Sequence, residues 1–186
     1  MTHIVLFHSI LGLRPIEKQI AAQFEAAGHT VILPDLFGGQ TAENYENAFA
    51  MRREIDNDTI MKRATSAVDT APATAILSGV SFGAALVGEF WSSRPQMPSA
   101  LLFAGITEWM TPRRNEVKIS AHIAKPDPFD DEDYFENWVN AADGPQIELY
   151  RYENAGHYFL DPSLPDYNAE AASLCMQRAK AFLAQF

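Results

Sequence analysis

The sequence has little cysteine, no excess of positive charge and no long apolar run. Cys175 is the one cysteine among 186 residues, so the chain forms no disulfide bond within itself. It falls in the apolar pattern of a predicted C-terminal helix, where a buried and unreactive thiol is expected. The formal net charge of -10 makes nucleic acid and anionic membrane surfaces unfavourable partners.

Signals for export and for membrane insertion are missing as well. The first residues lead directly into an apolar strand pattern, without a basic segment or a small-residue cleavage site, which argues against a signal peptide. The longest uncharged stretch, 70–88, is interrupted by Pro72, Gly79, Ser81 and Gly83. It predicts a buried strand and a turn rather than a membrane span. We therefore expect a cytoplasmic protein.

What is present is a regular alternation of short apolar runs and helical patterns. Apolar residues make up 47% of the chain, enough to fill the core of one domain over residues 1–186. Strands are predicted at 3–8, 30–33, 75–80, 99–104, 117–123 and 146–152. Helices are predicted at 15–27, 53–68, from 82 to before Pro95, at 131–142 and at about 168–184. This order predicts an α/β fold with a doubly wound, mostly parallel sheet of about six or seven strands.

Two segments without a regular pattern, 38–47 and 124–130, follow predicted strands. Open α/β sheets build their sites in loops beyond the carboxyl ends of strands. The functional residues are therefore sought there and in the other loops at that edge.

The segment Gly79-Val80-Ser81-Phe82-Gly83 matches the pattern G-x-S-x-G between a predicted strand and a predicted helix. In α/β-hydrolases this turn lifts a serine hydroxyl clear of the sheet, and the following helix N-terminus favours developing negative charge. The alternative is an ordinary buried turn. The matching context on both sides favours Ser81 as a nucleophile.

The serine needs a base, and His157 stands between the last predicted strand and the last predicted helix, where this fold carries its histidine. The other histidines are interpreted as strand-end or packed residues: His3, His8, His29 and His122. None of the histidines shows the spacing of a metal site such as H-E-x-x-H.

A third residue must orient the histidine and stabilise its cationic form. Asp127 and Asp130 both lie in the loop after the fifth predicted strand, and we favour Asp127 because it comes first after that strand. Asp131 and Asp133 are interpreted as helix-start residues. The oxyanion is expected to face two backbone N–H groups, those of Phe82 and Ile10, the latter in the loop after the first strand.

Five segments together resemble the dienelactone hydrolase family of the α/β-hydrolase superfamily, and the likeness extends over nearly the whole chain. They are FHSILGLRP, AAGHTVILPDLFGGQT, GVSFGAA, AKPDPFDDED and NAGHYFLDPSLPDYNAEAA. The resemblance implies a hydrolase without cofactor or metal, acting on small-molecule esters or lactones. It also implies Ser81, Asp127 and His157 as the triad, with the amides of Ile10 and Phe82 facing the oxyanion.

The sequence departs from the founding members of that family at three positions. They carry a cysteine where this chain has Ser81, and a glutamate in the first loop where this chain has Ser9. They also bind the substrate carboxylate through arginines, one of them shortly after the histidine, whereas residues 157–161 here contain none. We therefore expect small neutral esters or lactones rather than dienelactone itself.

The chain between Ser81 and Asp127 leaves little room for a separate lid domain. The residues predicted to line the pocket, or else to belong to the core, are His8, Phe37, Trp109, Met110, Phe129 and Tyr158. Two other functions use the same features: a thioesterase or acyltransferase with the same acyl-enzyme, and a non-catalytic binding protein on a hydrolase fold.

Overall fold

A computed structural model describes residues 1–108, 114–141 and 144–186 of the chain. Its strands are β1 His3–Phe7, β2 Thr30–Ile32, β3 Ile76–Val80, β4 Ser99–Phe103, β5 Lys118–Lys125 and β6 Gln146–Glu153. Its helices are α1 Pro15–Ala26, α2 Tyr45–Glu54, α3 Asn57–Thr70, α4 Phe82–Glu89, α5 Glu132–Ala141 and α6 Ala169–Leu183. Across residues 1–108, 114–141 and 144–186, no helix is long and apolar enough to cross a membrane.

The strands form one parallel sheet in the order β2-β1-β3-β4-β5-β6. The chain moves outward from β1 to β2 and then returns to the other side of β1 for β3. This reversal of direction between β1 and β3 is the point at which open α/β sheets form a crevice beyond their strand ends. The prediction of a doubly wound parallel sheet is confirmed.

Helices cover both faces of the sheet, which explains why its central strands are apolar throughout. In β1, Ile4 and Leu6 join the core on the side of α1 and α6, whereas Val5 and Phe7 join the core on the side of α3, α4 and α5. Alternate side chains of a strand point to opposite faces, so a strand covered on both sides needs apolar residues at every position.

The segment predicted as one helix at 53–68 is in fact the end of α2 and most of α3. The two helices are separated because Asp56 begins a new one, its carboxylate accepting the Thr59 N–H at 3.0 Å. Asn44 begins α2 in the same way, accepting the Asn47 N–H at 2.9 Å. The irregular segment predicted at 38–47 therefore ends at Asn44.

The fifth strand continues further than its predicted end at residue 123. Ala124 and Lys125 pair with Tyr152 and Glu153 of β6, so the loop that follows begins at Pro126. This register sets the carboxyl end of β5 beside that of β6, and the segments that follow both strands meet there.

Candidate active site

Ser81 occupies the turn between β3 and α4 in a conformation that serine rarely adopts. Its φ is 51° and its ψ is -113°, in the region where a side chain normally clashes with the backbone. The strain is held by neighbouring hydrogen bonds: the Ser81 N–H donates to Phe103 O at 2.7 Å, and Ser81 O accepts the Ala84 N–H at 2.8 Å. Such a strained turn presents the hydroxyl to the crevice at the strand ends.

The two glycines of the motif are required by close backbone approaches. A Cβ on Gly79 would lie 2.1 Å from Gly83 O, and a Cβ on Gly83 would lie 2.4 Å from Phe7 O. These contacts let α4 begin directly against β1 and β3. The spacing G-x-S-x-G is thus explained by packing on both sides of Ser81.

His157 lies between β6 and α6 in a segment that Asp166 holds from both sides. Gly156 N donates to Asp166 O at 3.0 Å, and Tyr158 N donates to Asp166 Oδ2 at 2.9 Å. Gly156 has no room for a side chain, because a Cβ there would lie 2.6 Å from Asp166 Cα. The backbone on each side of the imidazole is therefore fixed.

Ser81, His157 and Asp127 form a continuous hydrogen-bonded chain. The distance from Ser81 Oγ to His157 Nε2 is 2.8 Å, and His157 Nδ1 lies 2.8 Å from Asp127 Oδ2 and 3.1 Å from Oδ1. The carboxylate accepts the Nδ1–H, which leaves Nε2 unprotonated and facing the hydroxyl. The side chains of His157 and Asp127 are only 6% and 1% exposed, so water does not compete for these bonds.

The two candidate acids differ in their contacts. Asp127 contacts the imidazole, and its Oδ1 also accepts the Phe129 N–H at 3.0 Å. Asp130 is half-buried on the wall of the cavity and makes no contact with the His157 ring nitrogens among the described residues. Burial raises the pKa of the Asp130 carboxyl, and the Asp127 charge raises it further.

Ile10 and Phe82, the predicted oxyanion residues, line the same cavity as Ser81 and His157. Phe82 is the first residue of α4, and the first N–H groups of a helix have no acceptor within it. Ile10 lies in a tight loop closed by a bond from Gly12 N to Ser9 O at 3.1 Å. In the described part of the chain, the Ile10 N–H donates to no protein acceptor.

A buried carboxylate, Glu17 of α1, holds this loop from beneath. Its Oε1 accepts the Ser9 N–H at 3.3 Å, the Ser9 hydroxyl at 3.0 Å and the Tyr158 hydroxyl at 3.0 Å. Its Oε2 accepts the Arg14 N–H at 3.0 Å. Burial raises the pKa of Glu17. The residue next to Ile10 and the residue next to His157 thus share one anchor.

The cavity beside Ser81 has a volume of about 350 Å³, at the lower end of the range for small-molecule sites. Its lining is mostly apolar and comprises Ile10, Tyr45, Phe49, Ser81, Phe82, Ala85, Ala104, Gly105, Ile106, Phe129, Asp130, Tyr134 and His157.

Of the other residues predicted for the pocket, Phe129 lines it, whereas His8, Phe37 and Tyr158 do not. All three of these are at most 1% exposed. His8 is held in the interior by Ser9 O and the Leu36 N–H, and Tyr158 by the Glu17 carboxylate. Phe37 packs on Phe82 with ring centroids 5.7 Å apart. Trp109 and Met110 lie outside the described residues.

The buried histidines His8 and His122 have structural partners of their own. His8 Nδ1–H donates to Ser9 O at 2.7 Å, and its Nε2 accepts the Leu36 N–H at 3.0 Å. Burial lowers the pKa of His8. His122 bonds the Tyr152 hydroxyl at 2.8 Å, and burial, with a smaller contribution from Arg178, lowers its pKa to about 3. Neither ring contacts Ser81.

Three aromatic residues of the cavity were not predicted: Tyr45, Phe49 and Tyr134. Tyr45 and Phe49 lie on the first turns of α2. Tyr45 falls in the segment 38–47 that was predicted to be irregular, and Phe49 falls between that segment and the helix predicted from residue 53. The Asn44 cap was the available signal, because an asparagine followed by a helical pattern marks a helix N-terminus.

Known proteins similar to this chain agree with the fold. The sequence profile of the dienelactone hydrolase family matches residues 1–186. A carboxymethylenebutenolidase from Rhodococcus opacus is 27% identical over 207 residues, which cover 98% of this chain and 81% of that protein.

Solved structures resemble the whole chain despite low sequence identity. A dienelactone hydrolase-like promiscuous phosphotriesterase from metagenomic libraries superposes with a TM-score of 0.80 at 18% identity, covering 100% of this chain and 86% of that one. Thermogutta terrifontis esterase 2, phosphoramylated by tabun, gives 0.67 at 15% identity, covering 99% and 83%. These similarities show the α/β-hydrolase fold.

Proposed function

Because the chain belongs to the dienelactone hydrolase family and is therefore a hydrolase, we propose that it cleaves carboxylic esters or lactones through an acyl-enzyme on Ser81. The observation that carries the proposal is the chain of hydrogen bonds from Ser81 through His157 to Asp127. Ser81 Oγ lies 2.8 Å from His157 Nε2, and His157 Nδ1 lies 2.8 Å from Asp127 Oδ2. The nucleophile, base and orienting acid are thereby aligned before substrate binds.

In the first half of the reaction, Ser81 Oγ attacks the carbonyl carbon while His157 Nε2 takes the hydroxyl proton. Negative charge develops on the carbonyl oxygen, and we assign its stabilisation to the N–H groups of Ile10 and Phe82, two residues that line the cavity. The carbon–oxygen bond to the leaving alcohol then breaks, and His157 gives the proton to that alcohol. Asp127 stabilises the imidazolium throughout.

In the second half, a water molecule replaces the alcohol. His157 takes a proton from the water, the resulting hydroxide attacks the acyl carbon, and the bond to Ser81 Oγ breaks as His157 returns the proton to the serine. The products are a carboxylic acid and an alcohol; from a lactone both groups stay in one molecule.

The cavity supports small substrates that carry no carboxylate. Most of its wall is apolar, and among its described lining residues there is no arginine or lysine that could pair with a substrate carboxylate. A carboxylate bound near Ser81 would lose hydration without gaining a partner. Carboxylate-bearing lactones are therefore disfavoured.

The test is covalent labelling with a fluorophosphonate, followed by intact-protein mass spectrometry. The choice of an organophosphorus probe is supported by the fold neighbour that is phosphoramylated by tabun. We expect one adduct on the wild type, none on Ser81→Ala, and one on Ser173→Ala, whose serine is exposed on α6. Equal labelling of wild type and Ser81→Ala would refute the nucleophile.

A substrate panel defines the reaction. Esters, lactones and thioesters of matched acyl groups are compared by kcat/KM, and esters or lactones are expected to be cleaved fastest. Faster cleavage of thioesters would indicate a thioesterase. If the wild-type protein reacts with the fluorophosphonate but turns over none of these substrates, the result would favour a binding function.

A further inference from the structure

Besides Phe82, four aromatic rings line the cavity: Tyr45, Phe49, Phe129 and Tyr134. Phe129 is central, with ring centroids 5.2 Å from Tyr45, 6.2 Å from Phe49 and 4.6 Å from the His157 imidazole. Phe49, Phe129 and Tyr134 remain 43%, 46% and 38% exposed. Aromatic surface that is open to solvent beside a nucleophile is available to a ligand.

Asp130 lines the same cavity and lies along the chain between Phe129 and the start of α5. It is half-buried, and its carboxylate makes no hydrogen bond and no salt bridge in the described part of the chain, although the charge of the nearby His157 favours its ionised form. Burial raises the pKa of the Asp130 carboxyl, because a carboxylate that loses hydration is less stable in its charged form. A positively charged partner would restore the lost interaction.

We propose that these five residues form a subsite for a cationic group, so that the preferred substrates are esters carrying an ammonium group. The inference rests on the proposed function and adds the substrate class. Aromatic faces attract a cation through their quadrupole, more strongly when the cation is partly desolvated. The Asp130 carboxylate adds a direct charge interaction, and the net charge of -10 favours the approach of cations over anions.

Arg52 contacts the cavity residue Phe82 but does not occupy this subsite. The Arg52 guanidinium lies 5.2 Å from the centre of the Phe82 ring. It donates to Ile55 O at 3.0 Å and to the Asn57 side chain, and it is not part of the cavity lining. Arg52 is thus held at the junction of α2 and α3.

The kinetic test compares two esters of the same shape, acetylcholine and 3,3-dimethylbutyl acetate, in which carbon replaces the ammonium nitrogen. The wild type is expected to prefer the cationic ester by about tenfold or more in kcat/KM at low salt. Asp130→Asn should lower this ratio at least about fivefold. Phe49→Leu, which keeps apolar volume but removes an aromatic face, should lower it about two- to fivefold.

The matched control is Asp133→Asn. Asp133 is exposed on the first turn of α5 and outside the cavity, so the variant loses the same charge without touching the subsite. It is expected to keep the wild-type ratio within about twofold, since salt screens exposed charges at longer range. If the ratio of kcat/KM for the two esters falls equally in Asp133→Asn, the preference comes from the surface charge as a whole and the subsite is overturned. Equal kcat/KM of the wild type for both esters would also overturn it.

A binding measurement separates this inference from the proposed function. Choline and 3,3-dimethylbutanol are titrated into Ser81→Ala by calorimetry, because this variant cannot form an acyl-enzyme. Tighter binding of choline that is lost in Ser81→Ala/Asp130→Asn supports the subsite even if no ester is hydrolysed, in which case only the proposed function fails. Equal binding of the two alcohols overturns the subsite even if neutral esters are hydrolysed.

Discussion

Replacing Asp127 by asparagine tests the site most directly, because one atom changes while the shape of the side chain is kept. Asp127 Oδ1 accepts the Phe129 N–H at 3.0 Å, and Oδ2 lies 2.8 Å from His157 Nδ1. In the variant, the amide oxygen is needed at the Oδ1 position to keep the Phe129 bond. The amide NH₂ then takes the Oδ2 position and faces Nδ1.

This arrangement favours the wrong tautomer of the imidazole. A donor at 2.8 Å from Nδ1 is compatible with an unprotonated Nδ1, which moves the ring proton to Nε2, where it can no longer accept the Ser81 hydroxyl proton. The expected loss in kcat is on the order of 10⁴-fold, or about 5 kcal/mol of transition-state stabilisation. The second contact, from Nδ1 to Oδ1 at 3.1 Å, preserves part of the correct tautomer, so a loss of at least about 10²-fold is the lower bound.

The assay is hydrolysis of p-nitrophenyl acetate, with the burst phase reporting acylation and the steady state reporting turnover. Thermal unfolding of each variant shows that the fold is intact. Asp130→Asn is the matched comparison, since it changes the same group three positions later, and it is expected to lose less than about tenfold. A larger loss for Asp130→Asn than for Asp127→Asn would refute the assignment of the acid.

Two further predictions concern buried titratable groups. Glu17→Gln should lower kcat about tenfold with KM unchanged, because the loop that carries the Ile10 N–H loses part of its anchor; the exposed Glu25→Gln is the control, and a change in KM alone would contradict the positioning role. His122 has a folded pKa of about 3, below the ordinary 6.5, so the unfolded chain binds a proton that the folded chain does not. The free energy of unfolding should therefore fall as the pH is lowered from about 6.5 to about 3, by up to about 5 kcal/mol. In urea titrations His122→Phe should be less stable at pH 7, since the Tyr152 hydroxyl loses its hydrogen bond with His122. The variant should lose less stability than the wild type on acidification, and the same pH dependence in both proteins would refute this account.

The boundary between α2 and α3 could not be predicted from the helical pattern of the sequence. The stretch 53–68 satisfies a helical pattern, yet the chain is divided at Asp56, because a carboxylate that accepts the Thr59 N–H makes a new helix start favourable. Propensity along one stretch of chain does not decide between one long helix and two short ones. Packing decides, since α2 turns its Tyr45 and Phe49 toward the cavity while α3 buries Ile60, Ala64 and Val68 in the core.

Pocket membership was the least predictable feature. His8 and Phe37 follow strand ends, as residues of an active site do, but their side chains point into the core. The direction of a side chain just beyond a strand depends on one or two backbone dihedrals, which local sequence specifies weakly. Asp130 was weighed as an acid and lies instead on the cavity wall, one residue beyond Phe129.

The sequence by itself determined the parallel sheet, the turn at Ser81 and the segments that carry His157 and Asp127, because these follow from local rules: the apolar periodicity, the glycine spacing and the order of strands and helices. The tertiary structure decided which carboxylate meets the imidazole, how Glu17 ties the loop of Ile10 to the segment of His157, and which rings face the cavity. These features depend on contacts between residues far apart in the chain, and a local sequence pattern does not specify which distant residues come into contact.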